Sequence, residues 1–131
     1  TVAHLQAGLA KRNSAIKTVL LDQSLVAGLG NIYVDESLHR AGISPLRKAS
    51  KLAVEEVKRL YESAREVLKE AVRAGGSSSK DYLRSSGKKG SFQNSHAVYR
   101  RTGQPCFNCG EPIERVVING RSTHYCLRCQ R

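Results

Sequence analysis

Two cysteine pairs near the end of the sequence constrain its fold more than any other feature. Cys106 and Cys109 form one C-x-x-C motif, Cys126 and Cys129 form another, and 16 residues lie between the motifs. This spacing is typical of a tetrahedral zinc site with four thiolate ligands, whereas two disulfides would require an oxidising compartment. Because four thiolates leave no open coordination position, the motifs predict one structural Zn²⁺ ion and no catalytic metal.

The residues between the motifs have the pattern of a β-hairpin. Runs rich in strand-forming residues cover 113–118 and 121–125, and Asn119-Gly120 between them favours a type I′ turn. Zinc would close the open end of this hairpin, which alone is marginal in water. Arg121 would then lie at the tip of a rigid arm, where its guanidinium could reach a groove or clamp a phosphate. A solvated surface arginine is the alternative, and the spacing leaves both open.

The first 73 residues are expected to be helical. An amphipathic helix is predicted over 51–73, with Ser50 as its N-cap, and a shorter one over 14–25. The nearly balanced charges on the exposed face of the longer helix indicate a packing element rather than a ligand site. Its apolar positions are Val54, Val57, Leu60, Tyr61, Ala64, Val67, Leu68, Ala71 and Val72.

Another helix start lies behind a glycine turn. Gly28-Leu29-Gly30-Asn31 precedes a predicted helix that continues to about Arg40, with Asn31 as the N-cap and the glycines allowing backbone angles that other residues avoid. Free N–H groups at such a start can bind a DNA phosphate, and the Asn31 amide would add a donor. The alternative is an ordinary connection in which Asn31 only caps the helix, and both interpretations stay open.

The charge balance favours a polyanionic partner. The 131 residues include 22 Lys and Arg against 11 Asp and Glu, a net charge of +11. No apolar run approaches the roughly 18 residues of a membrane span, and the first residues lack the charged, apolar and small-residue regions of a signal peptide. A cytoplasmic protein without a membrane partner is therefore expected. With no Trp and seven other aromatic residues, stacking platforms for single strands are few, and duplex binding is the better expectation.

These patterns predict a mainly α protein with a small β-hairpin, divided into three parts. Residues 1–74 form a helical domain, 75–97 a flexible basic loop with one helical turn near 80–84, and 98–131 the zinc-finger hairpin. Lys88, Lys89, Arg100 and Arg101 would add general, salt-dependent attraction to nucleic acid.

Several stretches resemble bacterial formamidopyrimidine-DNA glycosylases, specifically their helix-two-turns-helix domain and zinc finger. Endonuclease VIII relatives share this architecture, but the Gly-Gly-Ser, Phe-Gln and finger sequences are more similar to the formamidopyrimidine branch. The matching stretches are Leu21-Asp22-Gln23, Gly28-Leu29-Gly30-Asn31-Ile32-Tyr33-Val34-Asp35-Glu36, Arg40-Ala41-Gly42-Ile43-Ser44-Pro45, Phe92-Gln93, Val98-Tyr99, Gln104-Pro105-Cys106 and Gly120-Arg121-Ser122-Thr123-His124-Tyr125-Cys126.

The resemblance implies binding of damaged duplex DNA in base-excision repair, by a monomer. In the family, the asparagine matching Asn31, on the helix start after Gly30, and the finger arginine matching Arg121 hold phosphates around an everted lesion. The lysine matching Lys17 lies near the lesion and assists binding or processing. The segment matching about 77–92 covers the flipped base. The implied partner is double-stranded DNA with an oxidised purine or abasic site.

The sequence departs from the family in its catalytic part. Family enzymes begin with a Pro-Glu pair whose proline amine attacks the sugar in glycosylase and AP-lyase chemistry, whereas this sequence begins Thr1-Val2-Ala3. The 131 residues alone are therefore expected to be inactive, with the missing catalytic domain as a candidate partner. Arg100 stands where the family usually has Gly, and Leu127 where it has Pro. The alternative function is a stand-alone zinc-ribbon module that binds nucleic acid without repair chemistry.

Overall fold

The computed structural model describes residues 2–22, 30–73 and 96–131. Its elements, in chain order, are α1 (Val2–Ala10), α2 (Ile16–Leu21), α3 (Asn31–Ala41), a 3₁₀ turn (Ala49–Lys51), α4 (Val54–Arg73), β1 (Glu114–Ile118) and β2 (Arg121–Tyr125). The expected mainly α fold with a small β-hairpin is confirmed. Within these three ranges, no helix combines the length and apolarity that crossing a membrane requires.

The four helices share one apolar core. The sequence analysis gave helix α1 no bounds of its own, although Leu5 and Leu9 lie four residues apart and therefore on one helix face. The core residues are Leu5, Leu9, Ile16, Val19, Leu20, Val34, Leu38, Ala41, Ile43, Ala49, Val57 and Leu60.

Helix α4 begins later than predicted and buries a narrower face. It starts at Val54, and Ser50 lies in the 3₁₀ turn, so the prediction of Ser50 as the N-cap is wrong. The Glu56 carboxylate instead accepts a hydrogen bond from the Ala53 N–H at 2.8 Å, which is half of a capping box. Leu68 and Val72 are exposed, because the described elements that pack on α4 are α1 and α3, on its other side.

The starts of α2 and α3 also differ from expectation. Helix α2 spans only Ile16–Leu21, and its predicted extension runs into 23–29, outside the described residues. Gly30, not Asn31, is the N-cap of α3, and its φ of −80° is one that any residue adopts. Asn31 is the first helical residue. Its amide bonds to the hairpin rather than to its own helix, because a carbonyl oxygen is presented there by β2.

The hairpin follows the sequence prediction closely. Strands β1 and β2 pair antiparallel, from Glu114 opposite Tyr125 to Ile118 opposite Arg121. Asn119 and Gly120 have φ values of 50° and 79°, the left-handed pair that a type I′ turn requires. The helical turn predicted near 80–84 lies outside the described residues, and the limits of the three predicted domains remain predictions.

Candidate zinc centre and nucleic-acid interface

The four cysteine sulfurs converge at the open end of the hairpin. All four Sγ atoms lie within 4.8 Å of one another, with Cys106 and Cys129 at 3.8 Å and Cys109 and Cys126 at 3.4 Å. A tetrahedral zinc ion with Zn–S bonds of about 2.3 Å requires sulfurs about 3.8 Å apart, so the cluster fits this metal.

Each C-x-x-C motif also supplies donors to its first sulfur. The Asn108 N–H donates to Cys106 Sγ, and the Cys129 N–H donates to Cys126 Sγ, both at 3.4 Å. Burial acts to raise the pKa of the Cys106 thiol, but hydrogen bonds from His39 and the backbone lower it to about 6. Burial and the neighbouring sulfurs raise the pKa of Cys129 to about 12. Metal binding to this cluster therefore releases protons from closely packed thiols.

One face of α3 connects the helical domain to the hairpin. We call this face the α3 polar stripe, and its members are Asn31, Asp35, Glu36 and His39. Positions four apart on a helix lie above one another, which places residues 31, 35 and 39 in one row. The row runs from the tip of the hairpin to the cysteine cluster.

The middle of the stripe holds the hairpin by buried carboxylates. Asp35 Oδ2 accepts the His124 N–H at 3.0 Å and lies 3.2 Å from His124 Nδ1. The Glu36 carboxylate accepts three successive backbone N–H groups, from residues 97, 98 and 99, at 2.7, 2.9 and 2.9 Å. These bonds fix β2 and the start of the zinc module on α3.

The carbonyl oxygen of Ser122 is the meeting point of the predicted DNA-contacting residues. It accepts hydrogen bonds from Asn31 Nδ2 at 3.0 Å and from Lys17 Nζ at 3.2 Å. Arg121, the residue before it, is exposed at the tip of the hairpin. The structure thus brings together three residues that are far apart in the sequence, and Gly30 adjoins them as the N-cap of α3.

Lys17 is deeply buried beside this carbonyl. Its side chain has no solvent exposure, and Nζ lies 2.5 Å from Asp35 Oδ1. The pKa of Lys17 is lowered, mainly by burial and also by the positive charge of Arg121. The Asp35 carboxylate acts in the opposite direction and raises the pKa. Lys17 therefore reaches the hairpin tip through an internal ion pair and a backbone contact, not through an exposed ammonium group.

The surface around the tip is polar and carries further cations. A cavity of about 350 Å³ lies beside Arg121, and Arg115 Nη2 donates to Ser122 Oγ at 2.7 Å. The cavity is lined by Arg12, Thr18, Leu21, Asp22, Asn119 and Arg121. The segment at 77–92 that the resemblance assigns to lesion covering lies outside the described residues.

Sequence reasoning missed most of the residues that build this site. It gave no role in the site to Asp35, Glu36 or His39. The four-residue spacing of Asn31, Asp35 and His39 places them on one helix face, but a surface helix normally presents such a polar face to solvent, so the spacing alone did not indicate a buried site.

Two family models match the chain. The formamidopyrimidine-DNA glycosylase H2TH domain matches residues 1–82, and the zinc finger found in FPG and IleRS matches residues 103–131. The chain belongs to the formamidopyrimidine-DNA glycosylase family. The four cysteines accordingly form the zinc finger of this family, which carries one structural zinc ion.

Curated glycosylases of this family are similar along almost the whole chain. The formamidopyrimidine-DNA glycosylase of Solibacter usitatus is 50% identical over 125 residues, which are 95% of this chain and 47% of that protein. The Bacillus subtilis enzyme is 49% identical over 130 residues, 99% of this chain and 47% of that protein. The chain spans about half the length of the curated relatives it matches.

Solved glycosylase structures have the same fold. The MutM (Fpg) protein of Thermus thermophilus matches with a TM-score of 0.92 and 50% identity, over 99% of this chain and 50% of that one. The Lactococcus lactis Fpg in complex with DNA containing an abasic site matches with a TM-score of 0.91 and 40% identity, over 100% of this chain and 47% of that one.

Both departures from the family pattern are visible in the structure. Arg100 has a φ of 61°, a left-handed conformation that Gly adopts without strain, which fits the Gly that the resemblance places at this position. Leu127 is an exposed residue within the second C-x-x-C motif, and the four cysteines converge with leucine at this position.

Proposed function

We propose that this chain is the part of a bacterial base-excision-repair glycosylase that binds damaged duplex DNA. The observation that carries the proposal is that Asn31 and Lys17 both donate to the carbonyl oxygen of Ser122, the residue that follows Arg121. The neutral Asn31 amide contacts Ser122, and the exposed Arg121 is the residue before it at the end of the hairpin. Such a pair suits the non-ester oxygens of one or two adjacent phosphates.

The orientation of Asn31 favours donation to phosphate. Because the Ser122 oxygen is an acceptor, Asn31 must direct Nδ2 toward it, and the second hydrogen of Nδ2 remains for another acceptor. No side chain among the described residues caps α3, whose N-cap is Gly30. The backbone N–H groups of its first turn would add to the attraction for a phosphate.

Arg121 provides the exposed charge of the site, and Lys17 holds the carbonyl in place. The Arg121 guanidinium has five donors and can bind a phosphate with two parallel hydrogen bonds. Lys17 neutralises Asp35 and fixes Ser122 from inside the protein, so its contribution to binding is to position the hairpin tip.

The relatives support lesion-containing duplex as the ligand. The Lactococcus lactis Fpg was solved with abasic-site DNA, and a MutM protein was solved with DNA containing carbocyclic 8-oxo-G. By this likeness we assign oxidised purines and abasic sites as the lesions. We also place the protein in the bacterial cytoplasm and expect it to bind as a monomer, which sedimentation of the complex would check.

Binding of fluorescent duplexes to Asn31→Ala and Arg121→Ala variants tests the proposal. The duplexes carry a tetrahydrofuran abasic analogue or no lesion. We expect each variant to bind the lesion duplex about tenfold more weakly or worse, because each loses a hydrogen bond to a charged group. Asn108→Ala and Arg128→Ala remove the same side-chain types at the exposed C-x-x-C turns, and should change affinity little.

Two results would overturn the proposal. Unchanged affinity of both site variants would show that phosphate is bound elsewhere. Equal affinity for lesion and intact duplexes, or a preference for RNA, would favour a zinc-ribbon module that binds nucleic acid without a repair role.

A further inference from the structure

His39 lies at the contact between α3 and the cysteine cluster. It is in the last turn of α3, only 7% exposed, and its Nε2 atom is 3.6 Å from Cys106 Sγ. The two residues are 67 positions apart in the sequence, so the contact joins the helical domain directly to a zinc ligand. None of the other described contacts to the four sulfurs comes from a side chain outside the zinc finger.

The chemistry of a zinc-bound sulfur determines which partner donates. A thiolate bound to zinc has no proton and can only accept, so His39 must carry its hydrogen on Nε2. Cys106 Sγ would then accept two hydrogen bonds, from this imidazole and from the Asn108 N–H. Four thiolates around Zn²⁺ leave an excess of two negative charges in a largely buried place, and N–H donors stabilise this charge.

We propose that His39 is an outer-sphere donor to the zinc site and holds zinc in the finger through the Cys106 thiolate. It is a positioning residue, since it touches a ligand and not the metal.

Other members of the α3 polar stripe attach the zinc finger to the helical domain, so this attachment does not depend on His39. Asp35 holds β2 through His124, and Glu36 holds residues 97–99, both without touching a cysteine. The C-terminal residues are attached independently, since Gln130 Nε2 donates to the Ile43 carbonyl at 3.0 Å. Removal of the His39 donor should therefore weaken zinc retention while the finger stays docked on α3.

Zinc transfer to a chromophoric chelator, measured on the full 131-residue chain, tests this inference. His39→Leu fills a similar volume without a donor, whereas His39→Gln keeps an N–H group at nearly the position of Nε2. We expect zinc release from the Leu variant to be roughly 10- to 100-fold faster, the usual effect of losing an outer-sphere partner. The Gln variant should stay close to the native rate. His39→Phe is a second variant without a donor, in case the Leu variant does not fold.

Cobalt substitution supplies a readout that packing alone would not move. A hydrogen bond lowers the energy of the sulfur electrons, so its loss should shift the sulfur-to-cobalt charge-transfer band to lower energy. We expect this shift in the Leu and Phe variants and not in the Gln variant. Native release rates and an unshifted band in a folded variant without the donor would overturn the inference. So would equal defects in the Gln and Leu variants with no shift.

Discussion

The helical domain and the zinc finger are held together by different forces. Twelve buried apolar residues from four helices and their connections form the main core of the first. The buried cluster of the second has four members, and two of these are cysteines of the metal site: Val98, Cys106, Ile113 and Cys126. The helical part can therefore stabilise itself by burial, whereas the finger depends on its metal and on α3. The candidate DNA surface lies where these two parts meet.

Removal of zinc should give the largest difference in stability between the finger and the helical domain. We expect chelation, or Cys106→Ser, to unfold the finger, because structural zinc supplies about 10 kcal/mol or more to such modules. Helical circular dichroism should largely persist, since α1 to α4 share a core that contains no finger residue. Amide hydrogen exchange checks both statements: protection should vanish in β1 and β2 and remain in α4. Simultaneous loss of protection in both parts would show that they form one cooperative unit.

The buried ion pair at the junction should give the next largest effect. Lys17→Met leaves the Asp35 carboxylate buried without its main counter-charge, and we expect unfolding to become easier by about 3–5 kcal/mol. The double variant Lys17→Met, Asp35→Leu should be less destabilised than the sum of the two single variants, because it leaves no uncompensated charge. Denaturant unfolding measures all three. Lys58→Met, on the exposed side of α4, is the control, and additive effects would mean that the pair is not coupled.

A surface ion pair within the helical part should give the smallest effect. Arg40 binds both oxygens of Glu70 on α4, at 2.6 and 2.9 Å. Both side chains are about a third or more exposed, so solvent screens the pair, and Glu70→Gln should cost only about 0.5–1 kcal/mol at neutral pH.

This small effect has a defined pH dependence. The hydrogen bond from Arg40 holds the pKa of Glu70 below its ordinary value of 4.5. The contribution is therefore fully present above pH 4.5 and is lost as the pH falls through the lower folded-state pKa. Thermal unfolding of the native chain and of the Glu70→Gln variant should converge in acid, and a constant difference would assign the effect to packing.

Features with local causes could be predicted from the sequence. The C-x-x-C spacing, the strand pattern and the Asn119-Gly120 turn each depend on residues close together in the chain, and the structure has all three. The helical periodicity of α4 was visible for the same reason. Its exposed Val72 was not, because exposure depends on which neighbours cover the helix.

Features with distant partners could not be predicted. Capping propensity placed Asn31 at the helix end, but its amide bonds to a carbonyl 91 residues away. A lysine is normally expected at the surface, but Lys17 is buried, because Asp35 compensates its charge. The left-handed φ of Arg100 was also not predicted, because an arginine gives no signal of such a conformation.

The atom that organises the candidate DNA surface belongs to the main chain. Every residue type at position 122 presents a carbonyl oxygen, so the reference point for Asn31 and Lys17 survives replacement of the serine side chain. Random mutation should thus find position 122 permissive and positions 17 and 31 intolerant, although all three meet at one contact. The contact therefore tolerates substitution of the residue that supplies its acceptor, but not of the two residues that supply its donors.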